Sequence, residues 1–311
     1  MIVTVTMNPA IDKTIDIEEL DRGGLNRIRH VEYDAGGKGI NVSKTIRELG
    51  GKSIATGFIG GNAGKTIESV LNAQGIENDF VWVEGETRTN TKVVEKNGTV
   101  TELNESGPQI SKNQVEQLIV KLMNYAGENT LFVLAGSVPA GIEKDIYKII
   151  IEKLHQAGAK VLLDADGELF VNALEAGPDI IKPNKVELEE YAGIGYSTSL
   201  REITGIAKNL LNKGIATVAV SLGSEGALLI RADNQVKAPG LKVKAHSTVG
   251  AGDAFVAALA YSWDEKLDFT EMMKTCMATS AGAVTTIGTK PPTKEVIETL
   301  KKEVKIELIG E

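Results

Sequence analysis

The stretch Ser247-Thr248-Val249-Gly250-Ala251-Gly252-Asp253-Ala254-Phe255-Val256-Ala257-Ala258-Leu259-Ala260 sets two glycines around an alanine, follows them at once with a carboxylate, and continues as an apolar, alanine-rich run at helical spacing. The glycines therefore sit where a helix begins. The free backbone N–H groups of that helix end and the helix dipole together make an anion site that needs no basic side chain. Asp253 falls in the first turn, where an ionised carboxylate is electrostatically favoured and can serve as a general base. A phosphate cradle with a base beside it implies phosphoryl transfer. A tight turn carrying an acidic first-turn residue is the plainer alternative, and the remainder of the chain has to decide between them.

At 311 residues the chain is two small domains or one large α/β domain, long enough to bury a substantial core. A hydrophobic content of 42% with 24% charged residues is that of an ordinary globular protein. The net charge of -8 and a pI near 5.2 argue against a nucleic-acid surface, so an anionic ligand has to be held by a local cluster of cations. Met1 to Ala10 has no basic segment and only a short apolar run, which predicts a first strand and not a signal peptide. No segment approaches the length of a membrane span. One cysteine, Cys276, excludes a disulfide framework, and no Cys or His cluster has metal-site spacing. A cytoplasmic protein without a membrane or nucleic-acid partner is expected.

In chain order, Ile2 to Thr6 alternates β-branched residues and stops at Asn8-Pro9, which predicts a strand followed by a loop containing Asp12. Ligands of open α/β sheets collect outside the carboxyl ends of strands, so Asp12 is placed to meet one. Residues 13 to 35 form short alternating pieces outside the α/β rhythm. Then Ala35-Gly36-Gly37-Lys38-Gly39-Ile40-Asn41-Val42-Ser43 enters a helix through Leu49. Its glycines let backbone approach a ligand, while Lys38 and Asn41 offer a cation and an amide at the helix entrance. Gly60-Gly61-Asn62-Ala63-Gly64-Lys65-Thr66 imitates a P-loop but is one residue too short, and reads as an ordinary helix start.

Residues 76 to 105 return to strands, with Arg88 before one of them and Asn97-Gly98 as a hairpin signal. The two irregular blocks together predict a small sheet over one end of the main domain. From Ile110 helices and strands alternate regularly, which means a parallel sheet sandwiched by helices. Ala135-Gly136-Ser137, Asp164-Ala165-Asp166 and Lys182-Pro183-Asn184 each follow a strand and gather polar residues at one sheet edge.

With these pieces placed, the chain resembles the ribokinase-like (PfkB) family of carbohydrate kinases over essentially its whole length. The resemblance rests on Gly36 to Ser43 near the start and on Thr248-Val249-Gly250-Ala251-Gly252-Asp253 near the end, in that order and at that separation. It implies an α/β fold, a three-layer α/β/α domain spanning 1–311 with a mostly parallel sheet, and a small β-sheet lid from about 13–35 and 88–104. It also implies that Gly250, Ala251 and Gly252 form the anion hole for the phosphoryl group and that Asp253 deprotonates the acceptor hydroxyl, with Asp12 helping to position that acceptor. Asn184-Lys185-Val186-Glu187 matches the family's Asn-x-x-Glu motif, so Asn184 and Glu187 would hold hydrated Mg²⁺, although a helix cap with a solvated Glu explains the same residues. Ser221-Leu222-Gly223-Ser224-Glu225-Gly226 resembles the nucleotide segment. Ser221, Gly223 and Gly226, with Lys182, Asn184, Ser247, Val249, Gly250 and Gly252, would then bind ATP. A monovalent cation stays open, and the family implies a homodimer paired through the lid.

The substrate class turns on cations. Arg27, Lys38 and Arg88 fall at the presumed sugar site beside Gly37, Asn41 and Ser137, and an uncharged sugar has no use for several cations at one mouth. An acceptor that already carries a phosphate is therefore expected; solvated surface arginines are the alternative. Thr6-Met7-Asn8-Pro9-Ala10-Ile11-Asp12, Gly85-Glu86-Thr87-Arg88 and Glu102-Leu103-Asn104-Glu105-Ser106-Gly107-Pro108 resemble the branch holding 1-phosphofructokinase and tagatose-6-phosphate kinase, as does Ser247 where many members have Asp. The resemblance thus implies ATP-dependent phosphorylation of a ketohexose phosphate, fructose 1-phosphate to fructose 1,6-bisphosphate, with tagatose-6-phosphate kinase or 6-phosphofructokinase activity, or a non-catalytic sugar-binding protein, as alternatives. A Rossmann dehydrogenase would need Gly-x-Gly-x-x-Gly after the first strand, where this chain has Asn8-Pro9.

Overall fold

The computed structural model describes residues 1–195 and 198–308. The chain opens with β1 (Ile2–Thr6), β2 (Ala10–Ile17), β3 (His30–Gly36), α1 (Lys38–Glu48), β4 (Ser53–Ile59), α2 (Gly61–Ala73) and the short β5 (Glu77–Asn78) and β6 (Val81–Trp82). A hairpin of β7 (Arg88–Glu95) and β8 (Val100–Asn104) turns at Asn97-Gly98, as the sequence predicts. The regular half follows: α3 (Lys112–Tyr125), β9 (Leu131–Ala135), α4 (Ile146–Gln156), β10 (Lys160–Asp164), α5 (Gly167–Ala173), β11 (Ile180–Ile181), α6 (Lys185–Ala192), α7 (Leu200–Leu211) and β12 (Thr217–Ser221). The chain continues through β13 (Ala227–Ile230), β14 (Gln235–Ala238), α8 (Ala251–Asp264), α9 (Phe269–Val284), α10 (Lys294–Lys301) and β15 (Glu307–Leu308).

The large sheet runs β15-β14-β13-β12-β11-β10-β9-β1-β4-β5, with β6 extending β4, and is parallel from β12 to β5. Its antiparallel edge is β13, β14 and β15. Because helices cover both faces, β1 and β9 are buried at every position and read as near-continuous apolar or β-branched runs. Leu118, Tyr147, Ile150, Phe170 and Leu210 pack on one face, and Val42, Ile46, Phe255, Leu259 and Met273 on the other. This is the expected three-layer α/β/α arrangement. Helix α8 is buried from Asp253 through Ala260 because it lies between α1 and α9; alanines at 254, 257, 258 and 260 let those helices approach, which is why its apolar residues run all round.

A second, four-stranded sheet has the order β3-β2-β7-β8 and gathers both irregular blocks of the sequence. It begins earlier than expected. Asp12, read from the sequence as a loop residue, lies inside β2, opposite Asp34 of β3 and Asn90 of β7. The chain breaks strand pairing at Asn8-Pro9 and resumes it at Ala10, where β2 lies between β3, the next strand in the chain, and β7, which is remote in sequence. Helix α10 and the edge strand β15 were not read from the sequence, although Thr293 caps α10. The P-loop imitation is a helix start, and its N-terminus is occupied by the protein's own Glu86, whose carboxylate accepts from the Ala63 N–H at 2.5 Å.

Candidate active site

Thr6, Ala135 and Asp164 stand in register at the carboxyl ends of β1, β9 and β10, while Lys182 follows β11 and Ser221 ends β12. The N-termini of α1 and α8 meet the same edge. Gly250 caps α8 at φ +83°, a left-handed conformation that an L side chain resists. A Cβ on Gly252 would lie 3.8 Å from the Lys182 Nζ, so an ammonium group stands beside the first turn of α8.

Asp253 is 9% exposed, and its Oδ2 accepts a hydrogen bond from Asn41 Nδ2 at 2.8 Å. Burial, then the Asp164 charge, push its pKa up to about 6, against the opposing pull of Asn41, Lys38 and Lys182. Asp164 is almost fully buried between two cations, with Lys38 Nζ 3.2 Å from Oδ2 and Lys182 Nζ 3.2 Å from Oδ1. Burial would raise its pKa, but Lys182 and Lys38 outweigh burial and hold it below the usual carboxylate range. Burial likewise works against the charge on Lys38, which Asp164 and Asp253 raise above the ordinary lysine range. Asp164 was not singled out from the sequence as a site residue. Its place at the end of a parallel strand was the available signal.

A cavity of about 180 Å³ opens beside this cluster, lined among others by Thr6, Asn8, Lys38, Arg88, Ser137 and Asp166. Thr6 Oγ1, Asn8 Oδ1, Asn41 Oδ1 and Asn90 Oδ1 are buried without a hydrogen-bond partner among the described residues. The amide nitrogens of these asparagines donate to Ser106 O, Asp253 and Asp12 respectively, which fixes the orphan atoms as acceptors. Buried acceptors left unpaired are costly, and of these residues Thr6 and Asn8 line the cavity. Asp12 accepts from Asn90 at 3.3 Å, and burial raises its pKa above the ordinary value against Lys92 and Asn90. Arg88 reaches the same cavity, but its Nε and Nη2 already donate to Asn8 O and its Nη1 to Glu105 O.

Other candidates fall elsewhere. Arg27 is exposed on the segment between β2 and β3 and does not line this cavity. Ser247 and Val249 line a separate cavity of about 630 Å³ beneath the small sheet; Ser247 Oγ accepts from the Val249 N–H at 3.2 Å. Ser221 bridges to Asn184, while Gly226, at φ +104°, is required by packing, since a Cβ there would strike Ala238 O; around Gly223 the space is open. Asn184 and Glu187 form a reciprocal capping box at α6: Asn184 Oδ1 accepts from the Glu187 N–H and Glu187 Oε2 from the Asn184 N–H, each at 2.8 Å. Burial raises the Glu187 pKa against the Asn184 amide and Lys182. Among the described residues no cluster of three or more His, Cys, Asp or Glu could hold a metal.

The glycines at 36, 37 and 39 serve the fold as well as any ligand. A Cβ on Gly36 would come within 2.4 Å of Asp12 Oδ2, one on Gly37 within 2.7 Å of Thr6 Cγ2, and one on Gly39 within 2.5 Å of Thr6 Oγ1. Bare backbone there brings α1 onto the end of β1 and so carries Lys38 and Asn41 to Asp164 and Asp253.

A mostly parallel sheet whose carboxyl edge meets a glycine-capped helix, a buried carboxylate and several unpaired buried polar atoms has the build of a carbohydrate kinase. The chain belongs to the pfkB family of carbohydrate kinases, whose description matches residues 5–296. It is 37% identical over 288 residues to a 1-phosphofructokinase of Borreliella burgdorferi, covering 92% of each chain. Phosphofructokinase-2 from Escherichia coli, solved with substrates and products and also with potassium, superposes at a TM-score of 0.92 with 26% identity over 97% of this chain and 98% of that one. The fold is shared with ribokinase from Thermotoga maritima, at a TM-score of 0.79 and 22% identity over 97% of this chain and 99% of that one. No helix among the described residues is long and apolar enough to cross a membrane.

Proposed function

We propose that the protein transfers the γ-phosphoryl group of ATP to fructose 1-phosphate, forming fructose 1,6-bisphosphate. The observation that carries this is the pairing of Asp253 with Asn41 beside the Gly250–Gly252 turn and Lys182. Asp253 takes the proton of the acceptor C6 hydroxyl as that oxygen bonds to the γ-phosphorus and the bond to ADP breaks. The amides of Gly250, Ala251 and Gly252 and the Lys182 ammonium meet the charge that spreads over the equatorial oxygens. Asp12, Asn41 and Asn90 orient the sugar hydroxyls, and Ser221, Gly223, Gly226, Ser247 and Val249 hold the nucleotide. Mg²⁺, when bound, neutralises the nucleotide phosphates. Glu187 and Asn184 suit it only through its water shell, because the capping box engages Asn184 Oδ1 and Glu187 Oε2 and leaves Glu187 Oε1 outside the cap.

A phosphorylated acceptor is supported by the cavity where Lys38, Arg88 and Ser137 converge and by the name of the 37% relative. The test is ADP release over fructose 1-phosphate, fructose 6-phosphate, tagatose 6-phosphate and unphosphorylated fructose. Fructose 1-phosphate should give the highest kcat/KM, and Arg88→Ala should raise KM for phosphorylated acceptors alone. A higher kcat/KM for either 6-phosphate would replace the acceptor, and unphosphorylated fructose as best substrate would remove the phosphate site.

The small sheet is a lid in this proposal, and two copies pair through it. Asp34, Asp12 and Asn90 share one cross-strand row on its site-facing side, and the next row, on the opposite side, holds Tyr33, Lys13, Thr91 and Leu103. Tyr33 and Leu103, on the two edge strands of that row, are 63% and 59% exposed, apolar surface that a second copy would cover. A sizing column should show a dimer at micromolar concentration; a monomer would refute the pairing.

A further inference from the structure

A closed ring of contacts surrounds the catalytic carboxylate. Asn41 of α1 donates to Asp253, and three residues further along α1 the almost fully buried Lys44 pairs with Asp34 Oδ1 at 2.5 Å and donates to Ala35 O at 2.5 Å. The second oxygen of Asp34 accepts from Thr289 Oγ1 at 3.0 Å. Thr289 in turn backs the Gly250 turn, since a Cβ on Gly250 would lie 3.5 Å from the Thr289 Cα, and Gly250 caps the helix that bears Asp253. Next to this contact, Lys290 pairs with Glu32, two residues before Asp34 on the same face of β3. Two consecutive residues of the 287–290 loop are thus fastened to two alternate residues of the edge strand of the small sheet.

Asp34 lies in the cross-strand row of Asp12 and Asn90, so the face that would meet the acceptor is the face tied to the loop behind the phosphoryl turn. We propose that Asp34 and Thr289 are positioning residues that latch the small sheet to the Gly250 turn, so that phosphoryl transfer is coupled to closure of the sheet over the acceptor. The latch rests on the kinase reading above. Its chemical consequence is a partition. The γ-phosphoryl group passes either to the sugar oxygen or to water. In both cases one P–O bond forms, the bond to ADP breaks, and the acceptor's proton goes to Asp253. A sheet held shut excludes the water route, whereas a sheet cut loose from the Gly250 turn lets water compete and misaligns the anion hole.

Removing Asp34 would strand the buried Lys44 ammonium and confuse folding with coupling, so the hydroxyl is the better target. Thr289→Val keeps the shape and removes the donor; Thr289→Ser keeps the donor. With ATP and fructose 1-phosphate, ADP release and bisphosphate formation are measured together, along with thermal unfolding. Thr289→Val is expected to lower kcat about tenfold, since small misplacements of reacting groups are amplified in rate. It should also release more ADP than bisphosphate formed, with an unchanged Tm, while Thr289→Ser restores both rate and stoichiometry. Wild-type kcat and one-to-one stoichiometry in Thr289→Val would overturn the latch, as would a rate loss that tracks a lowered Tm with stoichiometry intact. Bisphosphate formation by the unaltered protein reports separately on the kinase reading.

Discussion

Asp253→Asn is expected to lower kcat by about 10²–10⁴-fold, the range that a positioned general base contributes, while the KM for ATP stays within a few-fold of the parent. Asn preserves the size of the side chain and its contact with Asn41, so the loss isolates proton transfer from packing. The parent should also show the titration of that base. Burial and Asp164 raise Asp253 to about pH 6, and only its ionised form accepts a proton, so kcat/KM falls as pH drops through about 6. In Asp253→Asn the residual rate should lack that acid limb. Near-parental turnover in the variant, or an acid limb that survives the substitution, would remove Asp253 from the role of base.

The parallel half of the fold was legible because its signals are local: helical periodicity, β-branched runs and turn residues repeat from Ile110 onward within a few residues of one another. Asp12 was misread because β2 is a central strand held between β3 and β7, and nothing near Asp12 announces either pairing, least of all that with β7, whose Arg88 stands opposite Ala10. The same limit applies to the site. Lys38, Asn41, Lys182 and Asp253 each carried a local reason to meet a ligand, but Asn41 and Asp253 are 212 positions apart and their hydrogen bond follows only from the packing of α1 on α8. The capping box of Asn184 and Glu187 was visible, since both partners lie one turn apart. Asp34 and Thr289 had no such signal: their meeting depends on where the small sheet sits over a loop from the other end of the chain.

Asp164→Asn is expected to act on stability and on catalysis in ways that point in opposite directions with pH. Removing one partner of a buried ion pair leaves an uncompensated charge and costs about 3–5 kcal/mol. The larger share belongs to Lys182, at 5% side-chain exposure, because Lys38, at 37%, can turn to solvent. The parent's Asp164 has a folded pKa below its ordinary value of 3.8, so its stabilisation is fully present above that value and is lost as pH falls through the folded one. The deficit of the variant in a denaturant titration should therefore be full at pH 7 and shrink in strong acid. Asp253 responds the other way. Burial and then Asp164 hold its pKa up; with Asn at 164 burial alone opposes Lys38 and Lys182, which moves the acid limb of kcat/KM to lower pH. A variant that was merely destabilised would lose activity earlier on acidification. An acid limb that stays put, or that moves to higher pH, would break the electrostatic link between the two carboxylates.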